Sequence, residues 1–156
     1  MRWVTRARPK TDRIACPWLI RKFIDPKAEI VYMPADQVLS YAEEQGARSF
    51  DAPGAEFTHR DGKCTFEVLI EDYRLDDPAL QHLARIVHGA DISGDLDATP
   101  QSAGLLAIAE GFPRVEADDL KLLALESPIY EALYEWCRSQ IGDRSNGLRS
   151  DRQPPG

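Results

Sequence analysis

Apolar residues fall into two patterns along this chain. Up to about residue 60 they come in short runs bounded by Pro, Gly and Asp; beyond it they recur at helical spacing. The short runs predict strands at Arg2–Arg6, Glu29–Met33, 48–51 and 56–60, with Asp61-Gly62 as a turn after the last. A helix is expected from Pro17, whose missing N–H suits a first helical position, to Ile24, ending before Asp25-Pro26. A second helix over 35–45 closes on Gly46, and the stretch 8–16 reads as polar loop.

In the second half, Phe66, Leu69, Ile70 and Tyr73 share one helical face. Asp77 is expected to cap a helix that starts at Pro78 and runs to Asp91. Thr99-Pro100 starts another that ends near Gly111, and 117–126 forms the next. Ser127-Pro128 opens the last, with a stripe of Tyr130, Leu133, Tyr134, Cys137 and Ile141. The alternation of strand and helix favours parallel pairing. The expected class is α/β, with α+β as the alternative: a small mixed β-sheet with flanking helices, then a helical half. One domain is expected over 1–142, and the polar 143–156 reads as a disordered tail.

A chain of 156 residues is long enough for one core without disulfide staples. The net charge of −7 argues against non-specific nucleic-acid or anionic-membrane binding. That charge is uneven. Residues 1–22 carry seven Arg or Lys and one acid, Asp12, whereas the remainder carries 12 basic and 25 acidic residues. Cys16, Cys64 and Cys137 form no C-x-x-C pair, and so sparse and odd a set suits a reducing compartment. Neither a signal peptide nor an apolar run of spanning length is visible, so the expected location is cytoplasmic.

Three groups of residues are candidates for chemistry. The first lies around the Asp61-Gly62 turn, where His59 precedes it and Cys64, Glu67 and Glu71 follow on a helical stripe. A strand-end His facing a helix-borne Glu can surround an ion; the plainer reading is a polar hairpin and a solvated helix face. The second is His88 with Asp91. With Leu80 at zero, Asp91 falls at about 20° on its helix, inside the apolar face, and His88 at about 80°, at its edge. A carboxylate there is costly unless a cation compensates it, either a metal or an arginine. The plainer reading ends the helix before Asp91. The third is the basic head, where Arg6, Arg8 and Arg13 could bind an oxyanion beside a helix start. Cys16 there is a candidate reactive thiol with a lowered pKa, unless the arginines pair with the acidic body and the thiol is inert. The acidic loop 91–97 lacks the register of a calcium-binding loop.

The segments WVTRARPKTDRIACPWLIRKFIDPKAEI (3–30), THRDGKCTFEVLIEDYRL (58–75), ALQHLARIVHGAD (79–91) and YEALYEWC (130–137) resemble the chromate-resistance family related to the C-terminal domain of ChrB-type regulators. The resemblance implies a role in chromate or metal/oxidative stress. It also implies that His59, Cys64, Glu67, His88 and Asp91 converge on one site. Longer ChrB-type proteins carry an additional N-terminal region and act as chromate-responsive regulators, and this sequence is expected to lack that region. The leading expectation is a divalent metal ion (zinc, iron or manganese) held by His59, Glu67, His88 and Asp91, with Cys64 as a further ligand. Its partner would be a small oxyanion or oxidant. The alternatives are a metal-dependent redox or hydrolytic enzyme, with Cys16 or Glu71 as candidate catalytic groups and Asp51 behind them, and a metal-free interaction module. A homo-oligomer stays open.

Overall fold

A computed structural model describes residues 1–150, with side chains through Gly142. Three strands, β1 (Arg2–Arg6), β2 (Glu29–Met33) and β3 (Arg48–Ser49), form a sheet of order β2-β1-β3. Both pairings are parallel, Trp3 lying opposite Ile30 and Arg48. The only antiparallel element among the described residues is the Arg60–Lys63 bridge. Six α-helices surround the sheet: α1 (Asp12–Leu19), α2 (Val38–Gln45), α3 (Thr65–Asp72), α4 (Pro78–Asp91), α5 (Ser102–Gly111) and α6 (Asp119–Ser150). The class is mixed α/β, as the alternation of elements predicts.

Alternation along β1 divides the interior. Val4 faces a small cluster with Val38, Ala52 and Ala55, under α2. Trp3 faces the main core, built with Ile14, Leu19, Phe66, Leu69, Leu83, Ile86 and Tyr130 from α1, α3, α4 and α6. From the central strand Trp3 packs on Phe50 and Phe57, and the Arg48 guanidinium lies over the Trp3 and Phe57 rings.

Several local expectations are corrected. The stretch expected as loop begins α1 at Asp12, so Pro17 is the sixth residue of the helix rather than its first. Proline there leaves the Arg13 carbonyl without its intrahelical donor. The Tyr32 hydroxyl takes that place, donating to the Arg13 carbonyl at 2.6 Å. Past Leu19 the chain runs as a π-helical turn to Ile24, closed by Asp25 N–H on the Ile20 carbonyl at 2.7 Å. β3 is shorter than expected because Asp51 takes a left-handed backbone, φ 48°. That turn, and Gly54 at φ 77°, leave 56–60 with a single bridge, Phe50–Phe57, just past the end of β3, so no fourth strand forms. The Asp61-Gly62 turn is present, with Arg60 and Lys63 exchanging two backbone hydrogen bonds. The two helices expected on either side of Pro128 are one, α6. Its backbone continues to Ser150. The tail expected over 143–156 falls on residues whose side chains, and from 151 whose backbone, lie outside the described residues.

Asp77 caps α4 as its sequence predicts, its carboxylate accepting from the Ala79 and Leu80 N–H groups. At the other end of α4, Gly89 lets α5 approach. A Cβ there would meet the Ser102 Oγ at 2.2 Å. This contact brings the 92–101 loop back against the end of α4. No helix among the described residues is long and apolar enough to cross a membrane.

Candidate metal centre

Two clusters of side chains able to ligate a metal lie where α1, α3 and α4 meet. The deeper one joins Asp12, Asp51, His59 and Asp91. Asp12 opens α1 and is buried. Its carboxylate accepts the Thr65 N–H at 2.8 Å and the Phe66 N–H at 3.0 Å, so it caps α3 from another helix. The Cys16 thiol donates to it at 3.4 Å. Asp51, also buried, accepts the Thr65 hydroxyl at 3.0 Å and lies 3.3 Å from His59 Nδ1. The opposite nitrogen of His59, Nε2, sits 2.9 Å from Asp91. Asp12, His59 and Asp91 each offer a ligand atom within 4.8 Å of the others.

Burial is the main force on these acids, and their mutual repulsion follows. Asp12 is pushed well above the usual carboxylate range by burial, then by the Asp91 and Asp51 charges, against the pull of the Thr65 N–H. Asp91 is also raised, by burial and then by Asp51. His59 and the backbone N–H of Asp12, first residue of α1, oppose that rise. Two such carboxylates side by side favour a proton or a cation between them.

The outer cluster joins Cys64, Glu67, His88 and Asp95. Cys64 is the N-cap of α3 and Glu67 its third residue, in a reciprocal capping box with the Cys64 N–H donating to Glu67 Oε1 at 3.1 Å. His88 Nδ1 meets the same Oε1, and Nε2 meets Asp95 at 2.6 Å. Burial draws the His88 imidazole down, but Glu67 and Asp95 together lift it above its ordinary value. Burial pushes the Cys64 thiol up, with Asp12 adding to it. Cys64, Glu67 and His88 also offer ligand atoms within 4.8 Å of one another. A groove of about 610 Å³ opens beside this cluster, lined by Glu67, Glu71, Arg74 and Arg85 among others.

The five residues expected around one ion are thus brought together as two sets: His59 and Asp91 in one, Cys64, Glu67 and His88 in the other. Asp12 and Asp95 were not among the expected ligands. Asp12 carries a signal in the sequence, as the single acid of the basic head; Asp95 had only the acidity of its loop. Cys16 is fully buried within α1, and burial together with Asp12 and Asp51 pushes its thiol up. That reverses the lowered pKa expected of a thiol at a helix start. Glu71 stands apart from both clusters, on the groove, paired with Lys63 and held low by it. Arg6 and Arg13 both reach the Asp51 carboxylate, at 3.7 and 3.4 Å. Arg13 keeps a buried Nε–H with no acceptor among the described residues. Arg8 lies away from the clusters, its N–H donating to Asp119.

The donor sets fit a divalent ion chemically. Oxygen, oxygen and nitrogen suit manganese, iron or magnesium-like ions, and a sulfur ligand shifts preference toward zinc. Three protein ligands leave positions for water or a substrate oxygen.

Comparisons with known proteins agree with this chain's motifs. The family model described as ChrB, C-terminal domain matches residues 3–137. Protein ChrB of Cupriavidus metallidurans is 35% identical over 133 residues, covering 85% of this chain and 39% of the relative. The chain therefore spans about two-fifths of that relative's length, and no solved structure matches it. With the family model covering both clusters and nearly every helix, the chain belongs to the ChrB C-terminal domain family of chromate resistance.

Proposed function

We propose that this domain binds one divalent metal ion at Asp12, His59 and Asp91 and uses it to sense or process a small oxyanion or oxidant in chromate stress, in the cytoplasm. The observation that carries this reading is the meeting of a buried carboxylate, a half-buried one and an imidazole within 4.8 Å. Like charges so placed in a protein interior are costly without a cation. Asp12 holds its geometry through the first two N–H groups of α3, and Asp51 orients His59 through the other ring nitrogen. An orienting carboxylate of this kind fixes the tautomer of a ligating imidazole. Arg6 and Arg13, gathered on Asp51 beside the site, favour an incoming anion. Cys16, Cys64 and Cys137 are free thiols, which fits a reducing cytoplasm.

Elemental analysis of protein purified without affinity tag or chelator tests the reading, with His59→Ala and Asp91→Ala alongside. One manganese or iron per chain, lost in both variants, is the expected result. Wild-type protein that stays metal-free after reloading with manganese or iron overturns it.

A further inference from the structure

The outer cluster differs from the deeper one in the kind of donor it offers. We propose that Cys64, Glu67 and His88 form a second, thiol-bearing site for a borderline-soft divalent cation, zinc above all, separate from the carboxylate site. Three unlike donors, sulfur, oxygen and nitrogen, lie with their ligand atoms within 4.8 Å of one another. Such a set is selective in a way an acidic cluster is not. Thiolate and imidazole favour zinc, whereas the oxygen-rich set around Asp12 favours harder ions.

The scaffold is rigid where a site needs it. Cys64 and Glu67 belong to one helical turn, locked by the Cys64 N–H on Glu67 Oε1 at 3.1 Å. His88 comes from α4 and presents Nδ1 to the same side as Glu67. Its other nitrogen stays on Asp95 at 2.6 Å. A cation taking Nδ1 therefore finds the imidazole already oriented by a carboxylate on Nε2, the arrangement that ligating histidines generally show. The Cys64 sulfur enters as thiolate and its proton leaves to solvent. The site is reached from the 610 Å³ groove through Glu67, which lines it. Water or a ligand in the groove supplies the fourth position.

Cobalt(II) separates this proposal from the preceding one, since only sulfur ligation gives an intense near-ultraviolet charge-transfer band. The full chain, stripped of metal, is titrated with cobalt and then back-titrated with zinc. Two equivalents are expected, with a charge-transfer band that saturates with one of them and is quenched by zinc. Cys64→Ser is expected to abolish the band and leave one equivalent bound. His88→Gln, which keeps the thiol, is expected to weaken the band-forming equivalent at least tenfold. Asp91→Asn is expected to keep the band and lose the other equivalent. A single equivalent that carries the band supports this site and removes the carboxylate site. Saturated wild-type protein without a band overturns the proposal, as does a band lost equally in Asp91→Asn, which means one shared ion. Should Cys64→Ser fail to fold, the wild-type band and His88→Gln decide.

Discussion

The two clusters share a design and differ in depth. In each, one imidazole lies between two carboxylates: His59 between Asp51 and Asp91, His88 between Glu67 and Asp95. The deeper cluster gathers residues from four separate stretches of chain, and Asp12 and Asp51 are buried. Its carboxylates also hold the fold together. Asp12 caps α3, and Asp51 ties Arg6, Arg13 and Thr65. The outer cluster takes two members from one helical turn, and although Cys64 is buried, Glu67, His88 and Asp95 are half-buried. Removing a deep residue therefore changes stability and binding together, whereas removing an outer residue changes mainly binding.

Asp12→Ala is the hardest test of that contrast. It strands two buried N–H groups at about 1–3 kcal/mol each, so a loss of about 2–6 kcal/mol in urea unfolding is expected. Glu67→Ala removes a capping-box partner and a half-buried contact with His88, and should cost about 1 kcal/mol. Equal losses in the two variants would erase the distinction.

Gly89→Ala sharpens it from the other side. The new Cβ would overlap the Ser102 Oγ, 2.2 Å away, and force α5 and the 92–101 loop outward. A cost of about 1–3 kcal/mol is expected from overpacking. Because the loop carries Asp95, zinc affinity should fall while manganese or iron binding at Asp12, His59 and Asp91 is retained. Metal titrations of both kinds on the same variant check this.

Glu126 provides a buried carboxylate outside both clusters. Burial raises its pKa from 4.5 to about 8, and its Oε2 has no hydrogen-bond partner among the described residues. The folded state holds this proton more tightly than the unfolded chain does. Its contribution to stability is therefore full below pH 4.5 and declines as pH rises toward 8. Glu126→Gln should remove that decline and gain about 1–2 kcal/mol at pH 8, with metal stoichiometry unchanged. A flat difference between the two proteins from pH 5 to 8 would show that Glu126 ionises freely. The smallest effect is expected from Glu71→Gln, since the Lys63–Glu71 pair is exposed: thermal stability and both metal equivalents should stay as in the wild type.

Much of the scaffold was readable along the chain. The strands at 2–6 and 29–33, the Asp77 cap with Pro78, the Gly46 terminus and the Asp61-Gly62 turn rest on local backbone chemistry, which acts within a few residues. Pro17 misled for the opposite reason. Its interior position is tolerated because Tyr32, from a strand fifteen residues on, supplies the donor that the helix lacks. The grouping of the candidate ligands was legible only in part. His59 with Asp91, and Glu67 with His88, involve the right residue types. No period in the sequence says which histidine meets which acid, or that Asp12 would reach across to cap α3.

The sequence by itself determined most element types, the α/β class and the residues able to ligate, because propensity, capping and burial pattern are properties of short stretches. Only the tertiary structure decided that those side chains gather as two clusters of different donor type and depth. Burial and like-charge repulsion depend on what packs around a carboxylate, and that is set by how α1, α3 and α4 meet.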